Sequence, residues 1–357
     1  MSNEVIHTLT VDWFTKNNIF QLERQEIFKK QWIYAADESE FKNIGDYINL
    51  EIAGFPFVII KKSETDYFAF HNFCLHRAAP LLSEKKGNIK NSSLTCRYHG
   101  WTYNLSGELI ATPMFDINTV KQNCSEKLHE VTIGKLKKLI FVNLNAENSI
   151  SFENFIAPVK NEFETANYDL SQYNLFGQME KIANCNWKTW LDGYQECYHC
   201  TTIHPIFNRD FYLKKYKVEN KENYSVHSCE RKHSSESGEQ QGLWLWHFPN
   251  LGLPCYENAY YTIQINPLSV NQTKLTYKFR FKNNVTENER VEFIKFVEKI
   301  TIEDISICEL VQKNLEVGIY QKGILNPEKE NGVAYFHSLV KTAVMNAKDF
   351  AYGDKTI

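Results

Sequence analysis

The chain has 357 residues, room for two domains at about 100–200 residues each. Its 40 Lys and Arg against 43 Asp and Glu leave a net charge of −3, which provides no basic field for nucleic acid or an acidic lipid surface. Aromatic residues make up 14% of the chain, more ring surface than an ordinary core needs. The opening MSNEVIHTLTVDWFTKNNIF lacks the basic head and apolar stretch of a secretory peptide. Apolar runs such as Phe55–Ile60 and Leu139–Val142 reach strand length only, far short of a bilayer span. A cytoplasmic location is expected, and there nine cysteines, an odd count, argue for thiols or metal ligands over disulfides.

In chain order, Phe20–Trp32 (FQLERQEIFKKQW) carries Leu22, Ile27 and Phe28 among charges at helical spacing and predicts a helix. From Gly45 the pattern shifts to short extended runs, Tyr47–Ile52, Phe55–Lys61 and Tyr67–Asn72. The turn chemistry of Gly54-Phe-Pro56 and Ser63-Glu-Thr-Asp66 separates them. Leu94–Cys96, Trp101–Asn104 and Lys138–Leu144 add strands, so Gly45 to Asn145 reads as an all-β module. Beyond it, Asn186–His199 predicts a helix, and Val218–Cys229, Tyr260–Asn266 and Lys274–Lys282 predict strands of one antiparallel sheet. Glu287–Glu316 reads as a long terminal helix, and the polar stretch Arg231–Gln241 as a mobile loop.

The first cluster of metal-ligand residues is Cys74-Leu-His76 followed, after 19 intervening residues, by Cys96-Arg-Tyr-His99. Both pairs sit where an extended run meets a turn. Two thiolates and two imidazoles make a complete tetradentate set, and Cys₂His₂ is also a standard structural zinc set. Zinc sites usually open with two to four residues between ligands, whereas Cys-x-His leaves one and suits two short loops that face each other. With Arg77 after the first pair and Gly100-Trp101 after the second, the pattern resembles a Rieske iron–sulfur domain. The resemblance implies that Cys74 and Cys96 bind one iron of a [2Fe–2S] cluster, and His76 and His99 the other. Imidazole ligands raise the reduction potential above that of an all-cysteine cluster, so the module is expected to relay electrons.

The second cluster lies in Asn186-Trp-Lys-Thr-Trp-Leu-Asp-Gly-Tyr-Gln-Glu-Cys-Tyr-His-Cys-Thr-Thr-Ile-His-Pro205, where Glu196, His199 and His204 fall within nine positions. On a continuous helix Glu196 and His199 share a face. His199 and His204 would diverge unless the helix ends between them, and Pro205 favours such an end. Two histidines and a carboxylate would then make an iron(II) facial triad with open positions for oxygen. A di-iron helical bundle is a rival reading, because Glu126-Lys-Leu-His129 repeats the Glu-x-x-His spacing. Glu126, however, leads straight into strand-like sequence.

The whole stretch, Asp192-Gly-Tyr-Gln-Glu196-Cys-Tyr-His199-x₄-His204-Pro205 after Asn186-Trp-Lys, resembles the catalytic segment of Rieske non-haem iron oxygenases. The likeness extends to GDYINLEIAGFPFVII, to HFPNLGL and to TIEDISICELVQKNL. It implies Asp304 as the third iron ligand, with Glu303 the adjacent competitor. Asp304 shares a helical side with Ile307, Cys308, Val311 and Leu315, where a carboxylate needs a partner such as a metal. Glu196, in place of the more usual aspartate, and Glu-Cys-Tyr-His-Cys followed by His-Pro resemble the branch acting on choline, carnitine and glycine betaine. In that likeness Glu196 binds no iron but bridges His199 to the cluster ligand His99 of a neighbouring subunit, implying a head-to-tail homotrimer.

The expected fold is α+β. An all-β Rieske [2Fe–2S] module over 43–145 follows an N-terminal helical part over 1–42 and precedes a catalytic domain over 146–357, whose antiparallel sheet is flanked by helices in a helix-grip-like arrangement. The implied activity is that of a terminal oxygenase using O₂, mononuclear Fe(II) and electrons from a separate flavin-containing NAD(P)H reductase, since the chain has no dinucleotide fingerprint of its own. Hydroxylation or oxidative N-demethylation of a quaternary ammonium compound is the expected reaction. Ring hydroxylation of an aromatic or polycyclic substrate and a plain electron-carrier or zinc module remain as alternatives. Trp244, Trp246, Phe248, Tyr256, Tyr260 and Tyr261 either face an ammonium cation or fill the sheet core.

Overall fold

In the computed structural model, residues 5–147, 150–230, 232 and 243–345 are described. All but one position of the expected mobile loop Arg231–Gln241 therefore lies outside the described residues. The chain divides into a unit of Phe28–Lys160 and a unit combining Met1–Ile27 with Asn161–Ile357.

The Phe28–Lys160 unit is built from antiparallel hairpins. Asp46–Ile52 pairs with Phe55–Lys61 through Ala53 and Gly54, both at positive φ (49° and 75°), which is the backbone a tight two-residue hairpin requires. The turn thus falls at Ala53-Gly54, and Pro56 stands at the start of a strand. These strands lie between Tyr67–His71 and Lys86–Asn88 in a four-stranded sheet, and Ser93–Thr95, Thr102–Asn104 and Leu109–Ala111 form a three-stranded one.

The helix expected over Phe20–Trp32 is shorter than its periodicity. An α-helix spans Asn17–Glu23, a π-turn spans Arg24–Phe28, and Trp32–Asp37 is a strand. That strand pairs with Leu139–Asn143, Trp32 opposite Asn143. The Trp32 ring packs on Phe152, 5.0 Å away, at the start of the helix Phe152–Thr165. Pairing and stacking draw both flanks into the β unit, so its limits lie outside the expected 43–145. Residues Glu126–His129 form a bend and an isolated bridge here, Glu126 accepting from Leu109 N–H and His129 from His71 N–H. That is not the helical geometry a di-iron bundle needs.

In the larger unit the described residues form a seven-stranded antiparallel sheet. Its order is Asn174–Ala183, Gln272–Phe281, Ala259–Ser269, Leu251–Cys255, Leu243–His247, Tyr224–Ser228 and Lys217–Asn220. The run expected as one strand, Val218–Cys229, is therefore a hairpin. The 30-residue helix Glu287–Glu316 begins with a capping box of Thr286 and Glu289. It packs on the sheet, Phe293 meeting Tyr256, Tyr261 and Phe281 and Thr301 Oγ1 donating to the Tyr277 hydroxyl at 3.1 Å. The α+β architecture agrees with the sequence.

A short helix, Trp187–Tyr194, packs beside Glu287–Glu316 and Asn331–Met345. A Cβ on Gly332 would collide with the carbonyl oxygen of Gln195, which explains glycine at that close approach. The short helix is anchored by an ion pair with no solvent exposure, Lys188 Nζ to Glu23 Oε1 at 2.6 Å, with Trp187 Nε1 donating to Glu23 Oε2 at 2.7 Å. Burial pushes the Glu23 carboxyl up and the Lys188 ammonium down, and each group's charge opposes the other's shift. Lys188→Met strands Glu23, so a loss of about 3–5 kcal/mol in denaturant unfolding is expected, with partial recovery when Glu23→Gln is added.

Candidate active site

The β unit presents Cys74, His76, Cys96 and His99 on two matched loops. Cys74 N–H donates to Ala79 O at 2.8 Å and its carbonyl accepts from Ala78 N–H at 2.9 Å; Cys96 N–H donates to Trp101 O and its carbonyl accepts from Gly100 N–H at the same distances. The fourth residue after each cysteine, Ala78 and Gly100, has positive φ, and a Cβ on Gly100 would press on Pro113. The loops bring the His76 and His99 rings to 4.7 Å, while Trp101 stacks on His76 at 4.8 Å.

Cys74 Sγ meets the Tyr103 hydroxyl at 3.2 Å, and that hydroxyl accepts from Leu75 N–H at 3.1 Å. Burial pushes the Cys74 thiol up, and neighbouring Cys96 adds to the rise. Two sulfurs this close cannot both ionise cheaply without a cation between them. His76 Nδ1 is buried with no hydrogen-bond partner, whereas His99 Nε2 is 3.3 Å from the Arg77 guanidinium, which lies over the Tyr98 ring. The donor set is two crowded thiols with an orphaned ring nitrogen.

In the larger unit, Asn186 caps the helix Trp187–Tyr194 through its side chain, and the helix ends before Glu196 is reached. The expected continuous helix through His199 is therefore broken by one turn. Glu196 and His199 are joined instead by a bond between Glu196 Oε1 and His199 Nδ1. Glu196 Oε2 accepts from the backbone N–H groups of Tyr198 and His199. Cys200–Ile203 forms one turn, His204 breaks it at φ −114°, ψ 78°, and Pro205 opens the next helix.

That break turns the two histidines toward each other, with their Nε2 atoms 3.2 Å apart. Asp304 Oδ1, from the 30-residue helix, lies 2.9 Å from His204 Nε2 and 3.4 Å from His199 Nε2. Glu303 Oε2 is 2.9 Å from His204 Nδ1, on the far side of that ring. Asp304 thus faces the point where both Nε2 atoms converge, and Glu303 backs His204 as Glu196 backs His199. Burial opposes a charge on His199, but Asp304 and Glu196 override it and hold this imidazole up to about 10. Burial likewise works against ionising Asp304, and the two histidines hold its carboxyl low instead. Carboxylates and imidazoles so arranged call for a cation.

Two cavities meet at this cluster. One, of about 120 Å³, is walled by Tyr194, Tyr216, Trp244, Tyr256, Tyr261 and Tyr277 among others and reaches His199, His204 and Asp304. The other, of about 480 Å³, reaches Asp192, Glu196, His199 and Asp304 beside Ile307, Val311 and Leu315. His227 lines the first cavity; burial drives its imidazole down to about 3, so it is neutral. Ser225 Oγ donates to Gln195 Oε1 at 2.8 Å, so it accepts from His227 Nε2 at 2.9 Å. That leaves His227 Nδ1 to accept from the Tyr216 hydroxyl at 2.8 Å.

A family model described as "Ring hydroxylating alpha subunit (catalytic domain)" matches residues 162–345, and one described as "Rieske [2Fe-2S] domain" matches residues 31–122. The chain belongs to the Rieske oxygenase alpha subunits. Relatives of this oxygenase include a carnitine monooxygenase oxygenase subunit of Acinetobacter baumannii, 27% identical with 94% of this chain and 95% of that one covered. The choline monooxygenase of Spinacia oleracea is 24% identical over 94% of this chain and 77% of its own length. A crystal structure of a quaternary ammonium Rieske monooxygenase with L-carnitine superposes with TM-score 0.81 at 26% identity, covering 96% of this chain and 97% of that one.

The cofactors of this family, a [2Fe–2S] cluster and a mononuclear non-haem iron, fit the donors present in this Rieske oxygenase. Paired thiols and the unpartnered His76 Nδ1 suit the cluster, and two imidazoles with one carboxylate would leave open positions at an iron held there. Of the aromatic residues singled out in the sequence, Trp244, Tyr256 and Tyr261 reach the cavity. Trp246 packs on Phe336, and Tyr260 lies under Arg280. Tyr194, Tyr216 and Tyr277 escaped sequence reasoning. Tyr194 ends a helix, Tyr277 lies in a strand and Tyr216 sits between elements, and Tyr194 alone lay inside a recognisable motif.

Proposed function

We propose that this chain is the terminal oxygenase of a two-component monooxygenase that hydroxylates a quaternary ammonium compound. The reaction consumes O₂, two electrons, two protons and a C–H bond, and it yields an alcohol and water. When bound, the cluster and the iron supply electron storage and oxygen activation. The observation that carries the reading is the convergence of His199 Nε2, His204 Nε2 and Asp304 Oδ1 at the end of a cavity walled by aromatic rings.

In this reading Cys74 and Cys96 hold one cluster iron and His76 and His99 the other, while His199, His204 and Asp304 hold the mononuclear iron. Glu196 accepts the Nδ1 proton of His199 and Glu303 that of His204, so both Nε2 lone pairs point at the metal. Neutral His227 fixes Tyr216, and the Tyr194, Tyr256, Tyr261 and Trp244 faces receive the cation. Loss of a hydroxylated N-methyl carbon as formaldehyde would leave a demethylated amine.

Electrons come from a separate reductase, a flavin-containing NAD(P)H enzyme in this proposal. One solved quaternary ammonium Rieske monooxygenase is described with inter-subunit electron transfer. A head-to-tail trimer, in which Glu196 meets His99 of a neighbouring subunit, accounts for a second cavity that reaches Glu196 and His199. Glu196 already accepts from His199 Nδ1 and two backbone N–H groups, and a carboxylate has about four acceptor sites, leaving one for that contact.

Calorimetric titration of the loaded enzyme tests the substrate class. Choline, glycine betaine or L-carnitine should bind and naphthalene should not, and Trp244→Leu should weaken the amine by roughly 1–2 kcal/mol. Affinity for naphthalene alone would overturn the quaternary-amine reading.

A further inference from the structure

Cys197 and Cys200 bracket His199 and are joined as a disulfide. Both are buried, and both line the aromatic cavity beside His199 and His204. Cys200 Sγ is 3.9 Å from His199 Nε2, and one ligand atom each of His199, Cys200 and His204 lies within 4.8 Å of the others. The chemistry described above uses neither sulfur. Within the disulfide, Cys200 Sγ is uncharged and its bonding is committed to Cys197. As a thiolate it is a soft, anionic ligand at the edge of a site that already offers two imidazoles and a carboxylate.

We propose that Cys197 and Cys200 form a redox-controlled pair that withholds or supplies a sulfur ligand at the mononuclear metal site. The proposal rests on His199, His204 and Asp304 being that site. With the disulfide closed, three protein donors surround the metal and positions stay free for oxygen. A dithiol reductant opens it: two electrons and two protons pass to the sulfurs, and the reductant leaves as its own disulfide. Cys200 then loses its proton to solvent as its sulfur enters the donor set. The result is a four-donor site of imidazoles, carboxylate and thiolate, of the closed kind that suits zinc. Hydrogen peroxide, the two-electron reduction product of oxygen, reverses the change: Cys200 leaves the donor set and regains its proton from solvent, and two thiols and one peroxide give the disulfide and two waters. The pair thereby couples the openness of the metal site to the surrounding redox state.

Zinc K-edge X-ray absorption tests this on the cluster-loaded full chain after its mononuclear iron is replaced by zinc, since the zinc edge is blind to cluster iron. Peroxide-treated protein should show nitrogen and oxygen neighbours only. Dithiothreitol should add a sulfur neighbour at about 2.3 Å. C197S should show that sulfur without reductant, and C200S should never show it. Absence of sulfur from both reduced wild type and C197S overturns the proposal, as does mass spectrometry finding both cysteines alkylated after peroxide treatment. H204A separates the two readings. If it leaves the zinc spectrum unchanged, zinc is elsewhere and the site assignment itself fails. If it alters a spectrum that never shows sulfur, only the cysteine pair is refuted.

Discussion

Glu196→Gln is expected to retain the cluster and the mononuclear iron yet lose turnover on the order of 100-fold, the upper end for removal of a group that orients a metal ligand. The substitution keeps the shape of the side chain. Its amide nitrogen, however, only donates, so the single remaining oxygen cannot serve both His199 Nδ1 and the backbone N–H groups that the two oxygens of Glu196 now accept from. Iron and acid-labile sulfide analysis establishes loading, and stopped-flow reoxidation of the reduced cluster, with substrate and O₂ present, isolates the electron-transfer step. Normal reoxidation in the variant would sink the bridging role and leave Glu196 as a brace for the turn.

Asp304→Ala is expected to lower iron from about three to about two per chain while sulfide stays near two, with substrate turnover undetectable. Glu303→Gln should do something different. Because Glu303 touches His204 Nδ1 at 2.9 Å and Asp304 touches Nε2 at the same distance, losing Glu303 frees the ring to rotate without removing a donor. Iron should still bind, with an affinity about 10–100-fold weaker. The reverse pattern, an emptied site in Glu303→Gln and full iron in Asp304→Ala, would exchange the two roles.

The sequence spoke most clearly where local rules and tertiary context agree. Phe55–Lys61 and Glu287–Glu316 coincide with their elements, one built on the apolar run Phe55–Ile60 between turns, the other a helix whose capping box fixes its start. It misled where long-range pairing overrode periodicity, as at Trp32, drawn into a strand by Leu139–Asn143. Short strands such as Lys86–Asn88 and Thr132–Leu136 carry too little apolar alternation to be seen in advance. At the site, the spacing of His199, His204 and Pro205 foretold a helix break, because proline acts on its immediate neighbour. The apolar side that Asp304 shares with Ile307, Cys308, Val311 and Leu315 pointed to Asp304 over Glu303, but that Glu303 backs His204 Nδ1 depends on how a distant helix is placed, which no local signal encodes. Trp244 and Trp246 illustrate the same limit: two residues apart in one strand, they should share a face, yet one reaches the cavity and the other packs on Phe336.

In the proposed site the metal donors come from short turns and one long helix, whereas Trp244, Tyr256, Tyr261 and Tyr277 come from the sheet and its loops. Selection can therefore exchange a ring on a strand without dislodging a donor on a helix. Such a division lets a lineage drift toward new substrates by ordinary point mutation, while the oxidative machinery it inherited stays under separate constraint.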